Sequence, residues 1–163
     1  MQILDDLKNS MLAKGLDESD LKLLAGIAHE REFFKDAIIF QENDLEECIY
    51  ILFEGKIAIE RHSLSGRKIG STVIHNVRHG QMIGEMGFVE GKTRSATAIA
   101  KSSVRLAQFQ FADLESLIQN NPLFGIRLLR NISGILSQRL RRMNEQWLRS
   151  IVTSKNHHEF EYF

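Results

Sequence analysis

The feature that most constrains the fold is a change of period. Between about residues 31 and 110 the chain breaks into short runs rich in β-branched and aromatic residues: AIIF, CIYILF, KIAIE, STVIHNV, SATAIA and VRLAQF. Gly55, Gly66, Gly70, Gly80, Gly84, Gly87 and Gly91 punctuate them. Many short strands with glycine turns predict a barrel or a double-sheet jelly roll. No run of helix-crossover length interrupts them, which disfavours a parallel βαβ sheet. Gly55, between two strand-like runs, reads as a hairpin turn.

Helical spacing frames this region on both sides. Leu4, Leu7, Met11 and Leu12 recur at helical intervals before Gly15 breaks the pattern. Asp17 reads as the N-cap of a second helix, with Glu18 and Asp20 in its first turn and Leu21, Leu24, Ala25 and Ala28 as its apolar stripe. After residue 110, Leu114, Leu117 and Ile118 mark a short helix ending near Asn120 and Asn121. Pro122 suits the first turn of a long final helix. Along it Leu129, Ile132, Leu136, Leu140, Met143 and Trp147 step by three or four residues, close to a heptad seam. That seam fits either packing on the chain's own barrel or a homodimer through the last helix. The expected fold is mainly β with flanking helices: an eight-stranded double-stranded β-helix, or jelly roll, with an N-terminal helical segment and a long C-terminal helix. Residues 1–150 are expected to form one domain, with the jelly roll at about 31–110 and the C-helix at about 122–150. Residues 151–163 then make a short tail.

Composition narrows the class. With 163 residues, 43% hydrophobic and 26% charged, the chain can bury a sizeable core. No apolar run reaches the roughly 18 residues of a membrane span, and the acidic, amphipathic start MQILDDLKNS is unlike a secretory signal. The single cysteine, Cys48, allows no internal disulfide and points to a reducing, cytoplasmic setting. Within the CIYILF run it reads as core. Net charge is zero but unevenly spread. Residues 1–60 carry 14 acidic and 6 basic side chains, whereas residues 121–155 carry seven basic ones against Glu145 alone. The basic segment reads as a solvated helix face; nucleic-acid binding through it would demand a steep salt dependence.

The chemistry concentrates in residues 80–98, GQMIGEMGFVEGKTRSATA. The stretch reads as a strand, a glycine-rich turn and then Arg-Ser opening another strand. Gly84 and Gly87 bracket Glu85 and permit close approach of a ligand to the backbone. Phe88 begins a short segment whose backbone N–H groups can form an anion-binding concavity. Arg94 suits a phosphate through parallel charge-assisted hydrogen bonds, and the Ser95 hydroxyl can donate to the same anion. Glu85 suits a pair of hydroxyls such as a ribose edge. A ligand that carries both groups in one rigid ring is a cyclic nucleotide.

These residues resemble a known family. GEMGFVEGKTRSA at 84–96 is similar to the phosphate-binding cassette of cyclic-nucleotide-binding domains, and in particular to the N-terminal domain of the bacterial catabolite activator group. FQENDLEECIYILFEGKIAIE at 40–60 resembles the strand pair that precedes the cassette, with Asn43 where the family often has glycine. Arg78-His79-Gly80 resembles the turn into it, and the helix after Pro122 resembles the family's C-helix. The resemblance implies a cyclic-nucleotide-binding regulatory protein, a sensor without catalytic residues, signalling through its C-helix to a downstream protein that the sequence does not name. By that implication Glu85 accepts from the ribose, Arg94 neutralises the phosphate, and Ser95 with backbone groups around Gly84 and Met86 completes the shell. The base would lean toward Met143 and Asn144, with Arg141 and Arg142 beside them. The implied ligand is cyclic AMP, with cyclic GMP as the alternative; no cofactor and no metal are expected. A ligand-free interaction module of the same fold is the competing reading. His75 and His79 beside Glu85 invite comparison with metal-binding cupins, but the His-x-His pair of that group is missing. No P-loop ending and no nucleophile motif is found. The catabolite-activator group carries a helix-turn-helix domain of about 60 residues after its C-helix. Only IVTSKNHHEFEYF follows Ser150, so a DNA-binding role of that type is not expected if the chain is the whole product.

Overall fold

A computed structural model describes residues 2–65 and 68–158. Gly66 and residues 159–163 lie outside the described residues, as do the side chains of His157 and His158. Helix α1 (Gln2–Lys8) and a 3-10 turn (Met11–Ala13) precede α2 (Glu18–Gly26). Asp17 caps α2 through a reciprocal box: its side chain accepts from the Asp20 N–H, and the Asp20 carboxylate accepts from the Asp17 N–H.

Eight strands follow: β1 (His29–Phe33), β2 (Ile38–Phe40), β3 (Cys48–Glu54), β4 (Ile57–Ser65), β5 (Lys68–Val77), β6 (Met82–Ile83), β7 (Thr97–Ala100) and β8 (Val104–Gln110). A short helix, α3 (Glu85–Glu90), stands between β6 and β7, and α4 (Phe111–Asn120) and α5 (Pro122–His158) close the chain. The strands form two four-stranded antiparallel sheets, ordered β1-β8-β3-β6 and β2-β7-β4-β5.

Strand β3 shows how the layers stack. Its side chains alternate between two cores, as a period of two requires. Ile49, Ile51 and Phe53 meet Leu7, Leu24, Phe124, Leu128 and Ile132 of the helices. Cys48, Tyr50 and Leu52 meet Phe40, Ile57, Val77 and Ala98 of the second sheet. The first sheet is therefore covered on both faces, which is why CIYILF is apolar without alternation. Each fully buried side chain of this size contributes about 1.5–3 kcal/mol.

Three expectations change. Gly55 is not a hairpin turn, because β3 and β4 belong to different sheets and do not pair. It turns the chain from one sheet to the other at φ +91°, where a Cβ would sit 2.2 Å from the Ser103 carbonyl oxygen. The glycine-rich turn after β6 is a helix, and Phe88 lies inside it, packed edge-to-face on Phe111 at 5.2 Å, not at the start of an open segment. The C-helix runs to His158, beyond the expected end near 150. Its stripe on the barrel is Phe124, Leu128, Ile132 and Ile135. Of the expected seam, Leu129, Leu140, Met143 and Trp147 are exposed.

Candidate functional site

A cavity of about 980 Å³ opens between β4 and β5, the segment from β6 to β7, and the middle of α5. Gly84, Glu85, Met86, Arg94 and Ser95 all line it. Asn144 does not. The face of α5 that lines the cavity carries Arg139, Arg142, Met143 and Gln146, and Asn144 is rotated off that face onto an exposed one.

Arg94 is held from two directions. Its backbone N–H donates to the Asp44 carbonyl at 2.9 Å, and its carbonyl accepts from the Asn43 N–H at 2.8 Å. Asn43 makes that turn at φ 71°, a conformation asparagine tolerates. Arg94 is 3% exposed, and its guanidinium lies over the Phe40 ring at 4.3 Å. It donates to the carbonyls of Gly84 at 3.0 Å and Cys48 at 2.6 Å, and to Glu46 Oε2 at 3.1 Å. Glu46 is in turn fixed by the Tyr50 hydroxyl at 2.6 Å. Gly84 leaves room for this arginine: at φ +84°, a Cβ there would stand 2.2 Å from Arg94 Nη1.

Glu85 is 1% exposed. One carboxylate oxygen, Oε1, accepts from Arg139 of α5, whose other terminal nitrogen donates to the Met82 carbonyl. Burial raises the Glu85 carboxyl above the ordinary range, and the charges of Arg139 and Arg94 only partly oppose it. Ser95 Oγ touches Met86 Sδ at 3.6 Å at the cavity mouth.

Two buried side-chain polar atoms lack a partner among the described residues: Arg94 Nε, a donor, and Glu85 Oε2, an acceptor. Buried polar atoms are rarely left so. Both residues line the cavity, with these two atoms themselves closed off from solvent.

His75 also lines the cavity and meets Gln81 Oε1 at 3.3 Å. Burial holds its imidazole below the usual range, and the nearby charges of Arg139, Arg142 and Arg78 add to that. His79 donates from Nδ1 to the Phe53 carbonyl, away from His75. Among the described residues no three His, Cys, Asp or Glu side chains gather as metal ligands. Cys48 is buried, and burial pushes its thiol up. None of the described helices is long and apolar enough to cross a membrane.

Sequence reasoning missed Arg139, Glu46 and Phe40 as parts of the site. The spacing of Arg139 from Met143, four residues on one helix face, was the available signal for the first.

A buried cation and a buried carboxylate lining one cavity of this size suit a small ligand that carries both an anion and hydroxyls. The chain belongs to the cyclic nucleotide-binding domain family, whose model matches residues 30–121. It is similar to the N-terminal domain of the catabolite activator proteins. It is 27% identical over 135 residues to the cyclic AMP receptor protein of Thermus thermophilus, covering 83% of this chain and 59% of that protein. The crystal structure of the Thermus thermophilus catabolite activator protein superposes with a TM-score of 0.73 at 27% identity, over 86% of this chain and 63% of that one. A cyclic nucleotide-binding domain from Methylobacillus flagellatus shares the fold with a TM-score of 0.79 at 21% identity, over 91% of this chain and 82% of that one. The chain spans about 60% of the length of the cyclic AMP receptor proteins of Thermus thermophilus and Salmonella typhimurium that it matches.

Proposed function

We propose that this chain is a cyclic-nucleotide sensor that takes cyclic AMP, with cyclic GMP as the alternative, in the cavity between the second sheet and α5. The observation that carries the reading is that Arg94 and Glu85, a buried cation and a buried carboxylate each with one unpartnered side-chain atom, line the same cavity. The first donates to the cyclic phosphate, joined by the Ser95 hydroxyl and backbone groups of Gly84 and Met86. The second accepts from the ribose hydroxyl. The name of the Thermus relative, a cyclic AMP receptor, supports the choice of base. Because Arg139 of α5 already grips Glu85, ligand at Glu85 bears on the position of the helix. Two states of α5 that hold the nucleotide unequally would make the domain a switch.

We read residues 1–150 as this domain, the two sheets as a jelly roll and the setting as cytoplasmic. No catalytic role is proposed. The exposed Leu140, Met143 and Trp147 of α5 suit a homodimer through the C-helix, and the output passes to a downstream protein.

Calorimetry with cyclic AMP and cyclic GMP tests the reading. Arg94→Ala is expected to weaken binding by about two orders of magnitude or more, since a desolvated phosphate loses its charged partner. Equal affinities for parent and variant overturn the assignment. A ligand-free interaction module is the second reading. It is favoured by the extent to which Glu46, Cys48 and Gly84 already occupy Arg94. Nucleotide at 100 times the dissociation constant stabilises a binding domain by about 2.7 kcal/mol. The absence of any thermal shift at millimolar nucleotide selects the module.

A further inference from the structure

Strand β5 turns one titratable side chain into the cavity. His75 lies opposite Ile59 of β4, and Val77, two residues on, is buried between the sheets. Alternation along a strand puts the imidazole on that same inner side, where it lines the cavity with Ile59. Burial and the neighbouring guanidinium charges favour its neutral form.

A neutral imidazole has one donor and one acceptor nitrogen, and the bond made by one fixes the role of the other. Two contacts decide which is which here. The Arg78 backbone N–H donates to Gln81 Oε1 at 2.8 Å, so the Gln81 amide must present its oxygen at that point and not its nitrogen. The same oxygen lies 3.3 Å from His75 Nε2. An amide oxygen only accepts, so Nε2 carries the proton. Nδ1 is then a bare acceptor, and it has no hydrogen-bond partner among the described residues.

Much of the wall around it consists of donors. Arg61, Arg78, Arg139 and Arg142 offer N–H groups alone. Asn76 and Gln146 can also accept, but no hydrogen bond holds either side chain among the described residues, whereas Gln81 already orders the His75 ring. An ordered acceptor loses less freedom on binding. His75 also belongs to the sugar side of the site. Gln81 precedes Met82, whose carbonyl accepts from Arg139, and Arg139 holds Glu85. The charge of Arg139 acts on His75 more strongly than that of Arg142 or Arg78. A ribose held at Glu85 by its 2′-hydroxyl carries its base on the adjacent ring carbon. We propose that His75 reads the base: its Nδ1 accepts a hydrogen bond from the exocyclic amino group of a bound purine, and Gln81 is the positioning residue that sets its tautomer. The proposal rests on the cassette reading above and names the group on the base that the site recognises. Adenine carries that amino group at C6 and guanine at C2.

Calorimetry on the full chain at neutral pH, with two pairs of ligands, tests it. Cyclic AMP is compared with the cyclic monophosphate of purine riboside, which lacks the 6-amino group, and cyclic GMP with cyclic IMP, which lacks the 2-amino group. In one pair the parent is expected to bind the amino ligand at least tenfold tighter, and which pair it is tells C6 from C2. His75→Phe keeps the ring but not the acceptor. It should bind that amino ligand at least tenfold more weakly than the parent and its amino-free analogue within about threefold of the parent. Nitrogen NMR of the parent gives a reading that needs no variant: His75 Nδ1 should resonate as an unprotonated nitrogen and shift with the amino ligand but not with its analogue. The proposal is overturned if neither pair shows an amino preference, if His75→Phe keeps the preference or weakens all four ligands alike, or if Nδ1 proves protonated. Arg94→Ala separates the two readings. If it leaves every affinity unchanged, or if no nucleotide binds the parent, the cassette reading fails and the role of His75 with it. If it abolishes binding while the parent shows no amino preference, the role of His75 alone fails.

Discussion

Two arginines of α5, twelve residues apart, each reach a buried carboxylate on another element. Arg127 meets Asp20 of α2 with a fork of two 2.6 Å bonds, and the Asp17 N–H adds a third donor at 3.2 Å. Both oxygens of Asp20 are satisfied. Arg139 meets only one oxygen of Glu85, and the other is buried without a partner. Burial and charge are the same in kind at the two places, with side-chain exposures of 3% and 2% for the two acids. What separates the two contacts is the valence left open at Glu85. The same division runs along the helix. Its first half carries Phe124, Leu128, Ile132 and Ile135 into the core, and the Asn131 amide donates to the Leu12 carbonyl at 2.7 Å. Its second half keeps Leu140, Met143 and Trp147 exposed. Thus α5 is packed into the core at one end and exposed at the other.

Arg127→Ala is the most disruptive way to test that division. It strips a buried aspartate of its fork, and Arg127 itself is 37% exposed, which moderates the loss. A cost of about 2–3 kcal/mol follows, a fall in melting temperature of roughly 5–10 °C. Nucleotide affinity is expected to stay within about twofold. A tenfold change in affinity would show that the two contacts are not independent.

Glu85→Gln is the complementary change. It keeps shape and one acceptor but removes the charge that Arg139 meets and that the proposed ribose contact would use. Affinity for cyclic AMP is expected to fall by about ten- to a hundredfold, roughly 1.4–2.7 kcal/mol. Thermal stability should change by less than about 1 kcal/mol, because a neutral amide also escapes the desolvation of a buried carboxylate. The 2′-deoxy analogue gives the control. It should bind parent and variant with similar affinity; a parallel loss with the deoxy ligand would place the ribose elsewhere.

How much of this was legible beforehand follows from locality. The interval from Gly84-Glu85 to Arg94-Ser95 lies within one stretch, so the cassette was readable, as were CIYILF and VRLAQF as strands. Asp17 as a cap and Pro122 as a helix start are local chemistry and stood out too. Strand β1, HEREF, was not visible because an exposed, charged edge strand has no apolar alternation to detect. Gly55 was misread because a glycine turn looks alike whether the flanking strands pair or part. Arg139 lies 54 residues from Glu85 in a helix rich in arginine, so its four-residue spacing from Met143 did not single it out. Asn144 fell to a rotation of one residue on a helix whose second apolar stripe, Phe124 to Ile135, set the orientation.

Acidity gives the smallest and most selective probe of the open valence. Burial places the Glu85 carboxyl of the folded chain above its ordinary value of 4.5. The folded state therefore holds this proton more tightly than the unfolded one. Its contribution to stability is fully present below 4.5 and is lost as pH rises through the raised value. Binding runs the other way, because the ribose hydroxyl needs an ionised acceptor and Arg139 needs its counter-charge. Between pH 7 and 4, the ligand-free parent should gain stability relative to Glu85→Gln while its cyclic AMP affinity declines toward that of the variant. Arg127→Ala keeps Glu85 and should show the parent's slope in both measurements. Melting curves of parent and Glu85→Gln that stay parallel across this range would mean that Glu85 is already held as a charged, satisfied group. The distinction between its site and that of Asp20 would then disappear.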